Sequence, residues 1–223
     1  MQNWYVNGID MVGRGILVKT GYSASCAAVS RAVYSGGCGL YVATAAKIGL
    51  KTIAIPLRIV RRTTEEADSA RSWLLSQCIG RETEIVLPNG KQYKCALTKA
   101  QKPEKQAEGI IDLKLEFSGF QHGELVTSSA LMLFCASTVP ETPFKITSIA
   151  AQDGDFSVAG VTFSDVEIGD VVCIDGMSGT IKINGQPADM GKNNFLSFPT
   201  LAPGRNTIAC DNSAEISYYP IFF

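Results

Sequence analysis

The chain holds a single histidine in 223 residues, and that scarcity bounds its acid–base and nucleophilic chemistry from the outset. A Ser-His-Asp or Cys-His-Asn arrangement would have to be built on His122 alone, and no G-x-S-x-G elbow accompanies it. His122 sits in the loop-like stretch Gly119-Phe120-Gln121-His122-Gly123, where a surface position without a chemical duty is expected. Metal ligation is equally thin, because the seven cysteines include no C-x-x-C pair and one histidine cannot complete a Cys2His2 set. Charge is scarce too, at 18% of residues where about 25% is usual, which excludes a disordered or nucleic-acid-coating chain. With 20 basic and 21 acidic side chains, bulk attachment to phosphate backbones or membrane surfaces is excluded as well. No apolar run exceeds Ala130–Ala136, far short of the about 20 residues of a membrane span. The opening MQNWYVNGID has no basic segment followed by an apolar stretch, so no secretory leader is expected. These absences leave no catalytic residue, no cofactor, no metal and no membrane partner to assign.

What is present is enough apolar material, 46% of residues, for one large core or two small ones. Near neutrality hides an asymmetry: residues 1–130 sum to +5 and residues 131–223 to −6. Such a split marks separate domains or an interaction face. A change to short strands after Pro140 places a boundary near Ser137–Pro143. The cysteines, at 26, 38, 78, 95, 135, 173 and 210, sit mostly inside apolar patterns and read as buried free thiols in a reducing cytoplasm.

In the first part the spacing of Ala67, Ala70, Leu74 and Cys78 predicts a helix over Thr64–Ile79, begun by a Thr63/Glu66 capping box and ended by Gly80. Alternation predicts strands at Glu82–Leu87, Gln92–Leu97 and Ile111–Phe117, the first two joined by a turn at Pro88-Asn89-Gly90. Lys99–Glu108 is polar and reads as an extended loop projecting from the sheet. Residues 21–49, rich in Gly, Ser and Ala, read as a long connection of the kind that is functional or ordered by a partner. The second part predicts strands at Lys145–Ala150, Phe156–Phe163, Asp170–Ile174, Gly179–Ile183, Asn206–Cys210 and Glu215–Tyr219, punctuated by Asx-Gly and Pro-Gly turns, hence a β-sandwich. Asp153 and Asp155 read as a turn rather than a calcium site, and Gly13-Arg14-Gly15 lacks the strand-loop-helix context of a phosphate loop. Asp165, Glu167 and Asp170 read as a solvated strand edge rather than a glycosidase pair. Both tryptophans, Trp4 and Trp73, precede the boundary, which counts against a carbohydrate-binding second part.

The order of these phrases resembles the distal tail proteins of long, flexible-tailed bacteriophages. The phrases are Val6-Asn7-Gly8-Ile9-Asp10, Thr52–Leu57, Ala70-Arg71-Ser72-Trp73-Leu74, Lys91–Ala96 and Leu115-Glu116-Phe117, then Ile168–Asp175, Thr180–Gly185 and Leu201–Asn206. One departure stands out: Ser35-Gly36-Gly37-Cys38-Gly39 occupies the place of a Pro-Gly-Arg-Asp-Gly-like phrase. The resemblance implies a mainly β chain: a ring-forming, β-sandwich-like domain with one helix and a hairpin over 1–136, and a galectin-like β-sandwich over 141–223. It also implies a structural, non-enzymatic part of a phage or prophage tail tip, made in the bacterial cytoplasm. That part is a hexameric ring hub between the major tail protein and baseplate or tail-fibre proteins, with a channel that DNA crosses without specific binding. Lys99, Lys102, Glu104 and Lys105 are the expected subunit contacts, and a carbohydrate-binding host-recognition module is the alternative reading.

Overall fold

The computed structural model describes residues 3–25, 29–30, 33–36, 39–42 and 47–222, with backbone alone between 29 and 48. It divides into two compact units, Met1–His122 and Gly123–Phe222. Both are built almost wholly from antiparallel strands, the mainly β, sandwich-like class expected.

The first unit begins with β1 (Tyr5–Val6), β2 (Ile9–Asp10), β3 (Ile16–Val18) and β4 (Ser23–Ala24). Then come β5 (Val29–Ser30), β6 (Val33–Gly36), β7 (Gly39–Val42) and β8 (Lys47–Ile48). β5 pairs with β8 and β6 with β7, so the described residues of the 21–49 segment form a nested antiparallel ladder instead of an unstructured connection. Small residues dilute the alternation there, and its glycines read as loop. Cys26 and Cys38 lie outside the described residues.

After β9 (Lys51–Val60) and α1 (Thr64–Cys78) come β10 (Thr83–Val86), β11 (Gln92–Ala100), β12 (Glu104–Ala107) and β13 (Ile110–His122). The sheet runs β2-β1-β10-β11-β13-β9-β3, with β4 following β3 along the outer edge of β9. Ile53, Ile55, Leu57 and Ile59 of β9 and Ile111, Leu113, Leu115 and Phe117 of β13 turn their alternate side chains into one core with Trp4, Tyr93 and Leu74. Each such burial contributes about 1.5–3 kcal/mol. The Trp4 indole N–H donates to the Ile16 carbonyl at 2.8 Å, so the largest core side chain leaves no donor unsatisfied.

Thr63 caps α1 by accepting the Glu66 N–H at 3.2 Å, as the capping pattern predicts. The Glu66 carboxylate, however, accepts the Arg62 N–H, one residue before the reciprocal partner of a capping box. Gly80 is left-handed (φ +75°), and the hairpin at 88–90 closes through Leu87 N–H to Lys91 O at 2.9 Å. Two expectations fail here. Lys99–Glu108 is not a projecting loop, because β11 continues past a bulge after Leu97 and β12 folds back onto β13. His122 is not on the surface: it ends β13 in register with Gln92, only 2% exposed, with the Phe120 ring edge-on at 6.5 Å. Flanking glycines concealed that β13 runs on to this residue, whose burial falls out of phase with the odd-numbered buried positions before it.

The second unit starts after His122, and its strands β14 (Val126–Ser128) and β15 (Met132–Cys135) precede the composition change at Ser137–Pro143. Then follow β16 (Thr142–Ile149), β17 (Gly154–Val158), β18 (Val161–Val166) and β19 (Val171–Asp175). The last are β20 (Thr180–Ile183), β21 (Gln186–Pro187), β22 (Thr200–Leu201), β23 (Gly204–Thr207), β24 (Ala214–Tyr218) and β25 (Ile221–Phe222). One sheet is β14-β24-β16-β19-β20-β21, with β22 beside the start of β16. The opposite layer joins β15–β23 to β17–β18 through the Val158–Cys210 bridge and the Ala159 N–H to Ala209 O bond of 2.7 Å. Phe144, Ile146, Phe156, Phe163, Ile174 and Ile216 fill the space between them. The run Phe156–Phe163 is a hairpin rather than one strand, because Ala159 (φ +51°) and Gly160 (φ +81°) are both left-handed. Ala-Gly carries a weaker turn signal than the Asn184-Gly185 pair, which takes the same conformation.

Candidate interaction surface

Several of the side chains weighed for chemistry in the sequence are committed to structure. His122 is core, and Asp165, itself left-handed, pairs with Lys192 at 3.2 Å. Asp153 accepts the Ile168 N–H at 2.7 Å. Asp170 accepts the Glu167 N–H at 3.0 Å and the Asn184 amide at 2.7 Å; the backbone bond above all holds its carboxyl below the usual range. Asp153 and Asp170 thus pin turns of the second unit.

On the solvent face of the first unit's sheet, Asp112 of β13 stands opposite Arg58 of β9. The Arg58 guanidinium grips it with two bonds of 2.8 and 2.9 Å, and Lys19 adds a third at 2.7 Å. The Arg58 bonds first of all, then Lys19, hold the Asp112 carboxyl at about 2 against the opposing effect of partial burial. Beside them Lys114 pairs with Glu116 at 3.4 Å, so each of these charges has a partner, with one positive charge in excess.

Lys99 of β11, Glu104 and Lys105 of β12, and Lys102 in the connection between them lie along one edge. Lys99 is in register with Glu116, Glu104 with Asp112 and Lys105 with Ile111, which places the group along about 17 Å of β13. All four are exposed, and none of the three lysines forms an ion pair among the described residues. The expected contact residues therefore lie along one sheet edge, a ridge whose three lysines form no ion pair among the described residues, but the register sends Lys99 and Glu104 to the face of Asp112 and Glu116 and Lys105 to the face of Ile111. β12 presents an open flank there, and charged side chains on such an edge discourage indiscriminate strand pairing.

Sequence reasoning passed over two further features. The Gly13-Arg14-Gly15 turn lays the Arg14 guanidinium on the Trp73 ring, 4.1 Å from its centroid, at the mouth of an open cleft of about 650 Å³ that Arg61, Thr63 and Glu66 also line. Gly15 must be glycine there, since φ is +60° and a Cβ would meet the Arg61 guanidinium at 2.4 Å. In the second unit, Met132 (59% exposed) and Phe134 (72%) stand outward on β15, opposite Thr207 and Arg205. Neither tryptophan offers a free aromatic platform: Trp4 is core and Trp73 lies beneath Arg14.

No protein-family model matches the chain, and no curated protein matches its sequence. Solved structures do match. The SPP1 Dit (gp 19.1) protein, described as a paradigm of the hub adsorption apparatus in phages infecting Gram-positive bacteria, superposes over 100% of both chains with a TM-score of 0.67 at 10% identity. This chain has the Dit fold. A chain of the phage P2 baseplate in its activated conformation with Ca matches over 99% of this chain and 98% of that one, TM-score 0.57, also at 10% identity. The corresponding baseplate with Sr gives 0.57 over 98% of each chain. The resemblance read from the order of phrases is thus present in the backbone, from the first unit through the second. Among the described residues no helix is long and apolar enough to cross a membrane.

Proposed function

We propose that the chain is a structural component of a phage or prophage tail tip, a ring-forming hub that joins the tail tube to baseplate or fibre proteins. The full-length match to SPP1 Dit carries this reading, because both units are accounted for in one superposition with no residue range left over for a different activity. Commitment of His122 and the acidic side chains to core and turns supports a non-enzymatic role. In this reading the ring is a hexamer formed chiefly by the first unit, with the lysine ridge among its contacts, the major tail protein on one side, and DNA passing through the centre without specific contacts. The particle is assembled from chains made in the bacterial cytoplasm.

Negative-stain electron microscopy of the concentrated full-length protein tests the reading. Closed rings of uniform subunit number with a central hole are expected, with six-fold averages. A population of monomers and irregular aggregates at every concentration, together with turnover of any glycan or peptide substrate, would refute it.

A further inference from the structure

The two units carry opposite charge, with 16 basic and 10 acidic side chains in Met1–His122 against 4 and 11 in Gly123–Phe222. Neither excess is spread evenly. In the first unit Lys19, Arg58, Lys94 and Lys114 each have a carboxylate partner, whereas Lys91 and, clustered on the β11–β12 ridge, Lys99, Lys102 and Lys105 form no ion pair among the described residues. In the second unit the one ion pair among the described residues is Lys192–Asp165. Its remaining carboxylates include a group at the end where β16 finishes and β19 begins.

That same end exposes apolar side chains. Ile149 (53%) and Val171 (37%) are directly opposed on the β16–β19 ladder and so share a face. Ile168 (66%) sits on the adjoining turn, which the Gly169 N–H to Ala150 O bond of 2.9 Å holds against the end of β16. Asp153 binds the Ile168 N–H and Asp170 the Glu167 N–H, so Ile168 stands between Asp153, Glu167 and Asp170, with Asp155 two residues further on. An apolar centre within a charged rim is the anatomy of a protein contact.

We propose that this end of the second unit docks on the lysine ridge of a second copy of the chain. Ile168, Ile149 and Val171 lie against the aliphatic stems of Lys102 and Lys105, which can cover apolar surface while their ammonium groups reach outward. Those ammonium groups meet Asp155, Glu167 and Asp153. The second copy is the occupant because its ridge supplies the charge that the patch lacks. Two different surfaces meet, so the contact is heterologous and closes into a ring when its rotation permits. The inference rests on the ring reading and adds the second unit as the other half of the contact.

Two full-length variants test it by analytical ultracentrifugation at low and high ionic strength. Lys102→Glu with Lys105→Glu reverses the ridge; Asp155→Lys with Glu167→Lys reverses the patch at side chains that hold no turn. Each variant alone is expected to self-associate about tenfold more weakly than the parent at low salt. An equimolar mixture is expected to recover, because the reversed ridge meets the reversed patch and the two unaltered surfaces meet each other. Ile168→Ser, which changes no charge, is expected to weaken association without changing its salt dependence. Association of both charge variants at parental strength overturns the proposal, as does a mixture that fails to recover while each variant keeps the parental circular dichroism and melting curve. A parent chain that stays monomeric at the highest concentration overturns it too. Electron microscopy separates the two readings. Closed rings retained by both variants keep the ring and remove this contact; recovery into pairs or open filaments keeps the contact and removes the ring.

Discussion

Replacing Asp112 by asparagine removes the charge at the centre of the first unit's sheet while keeping the shape of the side chain. Arg58 and Lys19 then face one another across a neutral amide instead of sharing a carboxylate. A carboxyl held at about 2 rather than 3.8 corresponds to about 2.5 kcal/mol of stabilisation at about 1.4 kcal/mol per unit. The Arg58 and Lys19 side chains are each 41% exposed, so water and salt screen part of this, and about 1–2 kcal/mol is the expected loss near neutral pH. Because the folded value lies below the unfolded one, the unfolded chain takes up the proton first as the solution is acidified. The stabilisation is therefore complete above about pH 4 and disappears as pH falls through about 2. Urea unfolding followed by tryptophan fluorescence reads this unit alone, since Trp4 and Trp73 both belong to it. The gap between parent and variant should be about 1–2 kcal/mol at neutral pH and should narrow on acidification below about pH 4. A gap of zero at neutral pH, or one that stays constant down to the acid limb, would refute the assignment of the stabilisation to this carboxylate.

Gly119→Ala should lower the stability of the first unit by about 2–4 kcal/mol, because its Cβ would fall 2.2 Å from the Lys94 carbonyl oxygen and 2.4 Å from the Cys95 Cβ; a urea midpoint equal to the parent's would show that the two strands can separate at no cost. His122→Ala should cost about 1–3 kcal/mol rather than the few tenths expected of a surface residue. An unchanged melting temperature would contradict its place in the core. Burial, the largest influence on both thiols, raises Cys78 to about 11 and Cys95 to about 12, so both should resist alkylation at mildly alkaline pH until denaturant is added. Peptide mass spectrometry decides this, and stoichiometric labelling of either in the folded chain counts against it.

Where the sequence was legible, one periodicity held over a whole element. From Ile111 to Phe117 every second residue is apolar, and every one of those side chains is in the core. α1 was marked at both ends by residues whose chemistry suits only a terminus, Thr63 and Gly80. Legibility failed where tertiary pairing overrode local character. β12 is wholly exposed, so Glu104–Ala107 shows no alternation and becomes a strand because β13 extends beyond the end of β11 and leaves its backbone open to pairing. The ladder within 29–48 pairs strand formers such as Val33, Tyr34, Leu40, Tyr41 and Val42, but its strands are two to four residues long and interrupted by Gly and Ser, so no periodicity announces them, and they are closed by partners almost symmetrically placed in sequence. At Phe156–Phe163 two left-handed residues turned an apparent strand into a hairpin, and Ala159 announces nothing of the kind.

An assembly surface is harder to read than a catalytic one, and the reason is physical. Catalysis needs particular functional groups, so a chain with one histidine has already excluded much of it. Docking needs only apolar area and unneutralised charge, and the same residue types build the core and its ion pairs. In Lys145-Ile146-Thr147-Ser148-Ile149-Ala150 the two isoleucines look equivalent. The register of β16 turns Phe144, Ile146 and Ser148 inward, which leaves Ile149 on the opposite face, 53% exposed against 0% for Ile146. An apolar residue out of phase with its own strand is the local signal that was available, and it becomes decisive once Val171 is known to lie across from it. The lysines behave alike. Lys114 and Lys105 are indistinguishable by type, but Lys114 has Glu116 at 3.4 Å and Lys105 has no carboxylate partner. What distinguishes a contact residue in this fold is therefore its placement beside other exposed, unpaired groups, a property of the folded chain rather than of any stretch of sequence.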